Sequence, residues 1–371
     1  MLDINSSEHR RNNFDFIRIL AALMVIVGHS FYLLGLSRHD PVYMFSGGTF
    51  YFGDVGLDFF FITSGCLVAA AWDRDPNPVR FIANRALRIV PGLAVAVLFC
   101  IFVVGAIATA LPATRYFSDP QTWGFLSCIS IFGLQWDLPG CFLHNPSIAS
   151  VNGSLWSLPY EVLCYGVIFL LGVAGMARRP ITSIVVFGAI YAYYLAMLHN
   201  GRWVIDRDLT PVLNTLYLLR LALFFAGGMV LCFLYKAGWR PPKLSWLWCI
   251  AAIVLANVLG LLLDLLPLLL SYFIYSIAYD KSLPLHQAAR FGDFSYGLYI
   301  YAFPIQQLLA QPGSPVSQKI LPFFLSSLVL TAACAFASWH LIEKRSLTFR
   351  KAKIFRHPVI ENCSVSGGKI N

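Results

Sequence analysis

The chain has 371 residues, of which 58% are hydrophobic and only 12% are charged, and its formal net charge at pH 7 is +9. Soluble domains carry about 25% charged residues, so the composition excludes an ordinary water-soluble globular protein and indicates an integral membrane protein. The basic excess is typical of cytoplasmic loops, and no basic face with interleaved aromatic residues points to a nucleic-acid partner. The nine cysteines show no metal-ligand spacing, so we expect no bound metal.

Long apolar runs recur along the chain and predict an all-α polytopic bundle of about ten transmembrane helices, since about 20 apolar residues cross a bilayer. The hairpin between the seventh and eighth runs is assigned to Asp264 and Pro267. Residues 121–135 are too short to span and are predicted to form an interfacial or re-entrant helix. The predicted spans lie near residues 14–36, 50–71, 89–111, 154–175, 181–198, 212–235, 244–262, 265–279, 291–310 and 320–341.

Lysine and arginine are distributed unequally between the two sets of loops. Most of the 27 basic residues lie on the side of the N-terminus, which predicts that both termini are cytoplasmic. We expect residues 1–345 to form one membrane domain. Residues 346–371 are polar and basic, and we expect them to form a cytoplasmic tail with little fixed structure.

The first span, FDFIRILAALMVIVGHS, carries Arg18 and His29 eleven residues apart. At about 100° and 1.5 Å per residue, both side chains project from one helix face, about 16 Å apart along the axis. Asp15 precedes Arg18 by three residues and is placed to pair with it. Ionisable residues within a membrane are costly and usually functional. The competing interpretation is that Arg18 snorkels to one surface and His29 is a satisfied polar residue near the other.

Two carboxylates, Asp58 and Glu161, fall within the second and fourth spans. A buried carboxylate requires a cation or a proton. For Asp58 the candidate cations are Arg18 and Arg220, and the alternative is that Asp58 faces water at the outer end of its span.

Two arginines, Arg85 and Arg88, are i, i+3 neighbours at the predicted start of the third span. A pair of guanidinium groups on one helix face suits phosphate, because each offers a fork of hydrogen-bond donors. Ordinary anchoring at the inner surface explains the same pattern.

The fourth and ninth spans carry polar and aromatic residues near their ends. Asn152 begins a turn, and Trp156 suits an interfacial position. Ser295, Tyr296 and Tyr299 offer rings and hydroxyls that suit a sugar site, although an interfacial belt explains the tyrosines equally well.

Six motifs in this order resemble the acyltransferase 3 family of bacterial membrane O-acyltransferases, over roughly residues 12–345. The ninth span departs from the family at Ala302, where many members have a histidine, so His29 is the remaining intramembrane histidine candidate. We expect a stand-alone member without a fused esterase-like domain. The matching residues are Asp15, Arg18 and His29; Gly56, Asp58, Phe59, Phe60, Ser64 and Gly65; Arg85, Arg88 and Pro91; Asn152, Gly153, Leu155, Trp156, Ser157, Leu158 and Glu161; Gly292, Ser295, Tyr296, Leu298, Tyr299 and Pro304; and Trp339, Ile342, Glu343 and Lys344.

The resemblance implies a multi-pass protein of the bacterial inner membrane. It would move an acyl group, most often acetyl, from cytoplasmic acyl-CoA to a hydroxyl of an extracytoplasmic or lipid-linked glycan. Acyl-CoA is then a co-substrate, and no permanently bound cofactor is expected. A secondary transporter or glycan-precursor flippase is the alternative, although the two halves of the chain show no sequence repeat.

The resemblance also implies roles for the polar residues. Imidazole titrates near neutrality, so His29 would act as general base or would carry the acyl group itself. Arg18 would mark the donor path, and Glu161 or Asp58 would orient the imidazole. Arg85 and Arg88 would bind the phosphates of CoA. The residues expected to bind the acceptor are Asn152, Trp156, Ser295, Tyr296 and Tyr299.

Overall fold

The computed structural model describes residues 12–147, 150–199 and 208–348. These residues are mostly helical, and the strands Asp208–Thr210 and Leu213–Asn214 form one short antiparallel hairpin. The prediction of an all-α bundle is therefore confirmed. The N-terminal residues and most of the predicted C-terminal tail lie outside the described residues, so the orientation of the termini stays a prediction.

Within the described residues ten helices form the bundle, and eight of them are long and apolar enough to cross a membrane. The seventh and ninth are shorter, at about 21–22 Å if each residue rises 1.5 Å. The helices are α1 (Phe14–Leu33), α2 (Phe52–Arg74), α3 (Pro78–Ala108), α4 (Gly153–Val173), α5 (Pro180–His199), α6 (Thr215–Lys236), α7 (Ser245–Val258), α8 (Leu262–Tyr279), α9 (Ser295–Leu309) and α10 (Ile320–Thr348).

The third helix begins earlier than the predicted residue 89. Asn77 caps α3 through a hydrogen bond from the Arg80 amide, and Pro78 occupies the first helical position, where its missing N–H costs nothing. Arg85 and Arg88 consequently lie about two to three turns inside α3 instead of at its start. Residues 120–130 form two short helices, which matches the prediction that this stretch does not span.

The hairpin between α7 and α8 does not lie at Asp264 and Pro267, so that prediction was wrong. The turn is centred on Gly260, whose φ of +71° suits glycine. Pro267 lies inside α8 and removes the amide that would pair with the carbonyl of Leu263. The Tyr194 hydroxyl donates to that carbonyl at 3.1 Å, so a neighbouring helix satisfies the freed acceptor.

The centre of the bundle is built from α1, α2, α6 and α9. The backbones of α2 and α6 touch because a Cβ added at Gly65 would lie 1.9 Å from the Phe225 carbonyl oxygen. Such close approach between small residues is typical of membrane bundles. The most buried helix is α9, and its Gln306 amide donates to Ile26 O and Ser30 Oγ of α1, both at 2.9 Å. This contact fixes α9 against the helix that carries His29.

Candidate active site

Two cavities lie end to end inside the bundle, and the same four helices, α1, α2, α4 and α9, line both. Along α2, one cavity extends from Leu57 to Arg74, roughly 26 Å at 1.5 Å per residue. The other begins at Gly53 and also reaches Leu57. Leu57 and Tyr299 line both cavities, so these two residues mark where the cavities meet.

The first cavity, of about 310 Å³, is named the arginine cavity because four arginines line it against two carboxylates. The second, of about 790 Å³, is named the histidine cavity after His29. Arg18 and His29 thus contribute to different cavities from one helix, which agrees with the shared helix face predicted from their spacing. The charged residues lining the arginine cavity are Arg18, Arg74, Arg85, Arg88, Glu161 and Asp293.

Asp293, just before α9, organises the arginine cavity. It accepts hydrogen bonds from Arg18 Nη1 at 2.5 Å and from Arg88 Nη2 at 2.7 Å. Arg18 therefore pairs with Asp293 and not, as predicted, with Asp15. Burial by itself would raise the pKa of the Asp293 carboxyl, but Arg18, Arg88 and the Ser295 hydroxyl hold it well below its usual range. Sequence reasoning missed Asp293, although it lies within the GDFSY motif.

Arg85 has no ion pair within the described part of the chain. Its guanidinium lies 5.7 Å from the centre of the Tyr165 ring, and its buried Nε has no hydrogen-bond partner there. Arg88, by contrast, bonds Asp293 and also approaches Glu343 at 3.8 Å. Arg85 is consequently better placed than Arg18 or Arg88 to bind an added anion.

Glu161 faces the arginine cavity and does not orient His29. Its Oε1 accepts a hydrogen bond from Ser64 Oγ at 3.0 Å and another from the Tyr165 hydroxyl. The suggested contact between Glu161 and the imidazole is therefore not formed in this structure.

Asp58 does not contact His29 either, and it lines neither cavity. Its side chain is fully buried, and Arg220 Nη2 donates to it at 2.8 Å. Arg220 also lies 3.4 Å from Asp54, which lines the histidine cavity. Of the two candidate cations for Asp58, Arg220 is the one that binds it. The ion pair joins α2 to α6.

His29 lies beside the N-terminus of α2. A Cβ added at its neighbour Gly28 would lie 2.4 Å from Gly53 N, so the two helices touch at this point. The His29 ring packs edge-on against Phe303, with 5.0 Å between ring centroids. Its Nδ1 is buried and has no hydrogen-bond partner among the described residues. The other ring nitrogen, Nε2, is therefore the one that can meet a molecule in the histidine cavity.

Only two of the five predicted acceptor-binding residues line the histidine cavity. Trp156 lies against Tyr217, with 4.8 Å between ring centroids, and both rings line the cavity. The Tyr299 hydroxyl, where the two cavities meet, donates to Ser154 O at 2.6 Å. Because that bond uses its one proton, Ser157 Oγ is the donor in the 2.6 Å contact between these two hydroxyls.

The other three predicted residues have different surroundings. Asn152 is buried, caps the first turn of α4 and donates to Ile300 O at 2.9 Å, so it fixes α4 against α9. Ser295 is buried and donates to Asp293 at 2.6 Å. Tyr296 lines the arginine cavity and donates to Ile89 O at 3.0 Å. Tyr296 therefore faces the arginine cavity and not the histidine cavity, where the acceptor was expected. Asn152 and Ser295 line neither cavity.

The helical fold and the paired internal cavities define a multi-pass membrane protein with an internal site. The family model described as an acyltransferase domain, acyltransferase 3, matches residues 11–340. The chain therefore belongs to the acyltransferase 3 family, and it is a membrane enzyme that transfers acyl groups. This result favours the enzyme over the transporter alternative.

Three curated relatives match across most of their length. An O-acetyl transferase of Shigella phage Sf6 is 32% identical over 93% of this chain and 99% of the relative. Nodulation protein 10 of Rhizobium leguminosarum bv. viciae is 26% identical over 95% of this chain and 98% of the relative. The exopolysaccharide production protein ExoZ of Rhizobium meliloti (strain 1021) is 25% identical over 83% and 94%. No solved structure matches the chain significantly.

Proposed function

We propose that the enzyme transfers an acetyl group from acetyl-CoA to a hydroxyl of an extracytoplasmic glycan at the bacterial inner membrane. The observation that carries this proposal is the meeting of the two cavities at Leu57 and Tyr299. An arginine-lined cavity reaches this point from one side, and a cavity with an imidazole and several aromatic rings reaches it from the other. The names of two relatives, an O-acetyl transferase and an exopolysaccharide production protein, support acetyl as the acyl group and a polysaccharide as the acceptor.

The donor would occupy the arginine cavity with its phosphates toward the cytoplasm. Arg74 lies at the exposed end of α2, and Arg85 presents a guanidinium that has no ion pair among the described residues. Guanidinium groups bind phosphate through paired hydrogen bonds. The pantetheine arm would extend along α2 toward Leu57, so that the thioester stands where the cavities meet.

The acceptor hydroxyl would enter from the histidine cavity and attack the thioester carbonyl carbon. His29 would remove the hydroxyl proton as the new C–O bond forms. The C–S bond would then break, and the CoA thiolate would leave with the bonding pair and take the proton from the imidazolium. In the alternative sequence, Nε2 of His29 attacks the thioester carbon and the CoA thiolate leaves with the C–S bonding pair. The glycan hydroxyl then attacks the acyl-imidazole, Nε2 leaves with the C–N bonding pair, and the hydroxyl proton goes to the thiolate.

Arg85→Ala tests the donor half of this proposal. We expect the KM for acetyl-CoA to rise about 10–100-fold with little change in kcat, because a charge-assisted hydrogen bond contributes about 1.5–3 kcal/mol. Arg85→Lys should recover part of the loss. Arg80→Ala is the matched control, since Arg80 lies on the same helix, pairs with Asp75 and lines neither of the two cavities. An unchanged KM in Arg85→Ala would contradict the assignment.

The reaction itself can be followed with the purified protein in proteoliposomes. Radiolabelled acetyl-CoA is supplied together with surface polysaccharide isolated from cells that lack the gene and treated to remove O-acyl groups. We expect label to move to the polysaccharide. Passage of unmodified glycan across the membrane without label transfer would favour the transporter instead. Mass spectrometry of the product would identify the acyl group and the acylated position.

A further inference from the structure

A third cavity, of about 640 Å³, adjoins the histidine cavity. It lies between the irregular segment that precedes α4 and the strand hairpin that precedes α6. Trp136 and Asp137 line both this cavity and the histidine cavity, so the two spaces meet at these residues. The residues that line the third cavity, named here the outer groove, are Gln121, Ser127, Phe132, Gly133, Leu134, Gln135, Trp136, Asp137, Thr210, Pro211 and Val212.

The segment that carries Trp136 is held in place by its own hydrogen bonds. The Gln135 amide donates to Gln121 O at 2.9 Å and to Asp137 O at 2.8 Å. The Trp136 carbonyl accepts from Val151 N at 2.7 Å. These bonds tie the segment to itself and to the residues before α4. They keep Trp136 at the boundary between the outer groove and the histidine cavity.

The lining of the outer groove limits what can bind there. Among the described residues that line the groove, Asp137 is the one charged residue, so this lining does not favour an anion such as a nucleotide or a lipid phosphate. Phe132 and Trp136 offer rings, while the Gln121 amide and the Asp137 carboxylate offer hydrogen-bonding groups. Neither of these polar side chains makes a hydrogen bond or an ion pair among residues 12–147, 150–199 and 208–348. Rings beside uncommitted amide and carboxylate groups match a hydroxyl-rich, uncharged ligand.

We propose that the outer groove binds the saccharide units that flank the unit being acylated, so the enzyme recognises a stretch of glycan chain. This proposal rests on the proposed function. The acceptor unit would lie in the histidine cavity with its hydroxyl toward His29. The chain would continue past Trp136 into the groove, where Gln121, Phe132 and Asp137 contact the next units. The groove would set preference for chain length and leave the chemical step unchanged.

The test compares two sizes of one acceptor with the variant Gln121→Ala/Phe132→Ala. The acceptor is O-deacylated polysaccharide from gene-deleted cells, cut into single repeating units and into chains of four or more. We expect wild type to have a KM about tenfold lower for the long chains, since a few well-placed contacts supply this much affinity. The variant should lose this preference, keep its KM for single units and keep kcat for both. Phe45→Ala is the control, because Phe45 is 42% exposed, similar to Phe132 at 45%, and lies away from the groove.

Three other results of this experiment are possible, and each would contradict a different part of the proposal. Equal KM values for both sizes in wild type, or a preference that survives in the variant, would refute the saccharide role of the groove. An equal fall of kcat on both sizes would show that the two substitutions disturb the fold and that the groove does not act by binding. Failure of wild type to acylate either size would refute the glycan acceptor, and with it both proposals.

Discussion

His29→Ala is expected to lower acyl transfer by about 10²–10⁴-fold, the usual contribution of a positioned general base. The protein should keep its size-exclusion profile and its thermal unfolding temperature, because Nδ1 of His29 makes no hydrogen bond among the described residues that the substitution would remove. The measurement is transfer of radiolabelled acetyl from acetyl-CoA to polysaccharide in proteoliposomes. His39→Ala is the matched control, since His39 is exposed and lies in the short helix after α1, outside both cavities. Transfer at the wild-type rate by His29→Ala would refute the assignment.

A labelling experiment that compares wild type with His29→Ala separates the two roles proposed for His29. Wild type incubated with radiolabelled acetyl-CoA and no glycan is quenched and examined for label on the protein. A general base predicts no covalent label, whereas an acyl carrier predicts label that is absent from His29→Ala and lost when glycan is added. We expect no label. No residue within the described chain hydrogen-bonds Nδ1 of His29.

Among the single substitutions proposed for this protein, removal of the cation beside Asp58 is expected to lower the free energy of unfolding the most. Arg220→Gln leaves the fully buried Asp58 carboxylate without its 2.8 Å partner. Leaving one charge of a buried pair unpaired costs about 3–5 kcal/mol. The free energy of unfolding, measured by denaturation in mixed micelles, should fall by about that amount. Arg178→Ala is the control, because Arg178 is 59% exposed in its ion pair with Asp73 and such pairs contribute less than about 1 kcal/mol.

The double variant Asp58→Asn/Arg220→Gln distinguishes structure from catalysis at this pair. We expect it to recover most of the stability, because no fully buried charge remains unpaired and the two amides can hydrogen-bond. Asp54, the second carboxylate near Arg220, is 24% exposed and can be hydrated. We also expect it to retain acyl transfer, since Asp58 lines neither cavity. A double variant that is as stable as wild type but inactive would restore the catalytic role that the sequence suggested for Asp58.

Local patterns predicted those parts of the site that depend on a single helix. The eleven-residue spacing of Arg18 and His29 sets their shared face, because an α-helix turns 100° per residue wherever it forms. The same reasoning failed at the α7–α8 turn. There, a proline that ordinarily ends a helix is tolerated, because Tyr194 of another helix binds the carbonyl that the proline leaves free.

The partners of the charged residues were not predictable in this way. Asp15 was the natural partner of Arg18 by spacing, yet Asp293, 275 residues away, binds it. Glu161 was expected near His29, but it accepts its hydrogen bonds from Ser64 and Tyr165 and faces the arginine cavity. Such choices depend on which helices pack together, and a local pattern of residues contains no information about that packing.

The sequence by itself determined that this protein is an apolar helix bundle with ionisable residues at costly positions, because composition and helical period are local properties of the chain. It also contained the six motifs by which the family can be recognised. Only the tertiary structure decided that these residues divide between two cavities that meet at Leu57 and Tyr299. The cavities exist because α1, α2, α4 and α9 enclose one space, and long-range contacts such as Gln306 with Ile26 and Ser30 hold those helices in register.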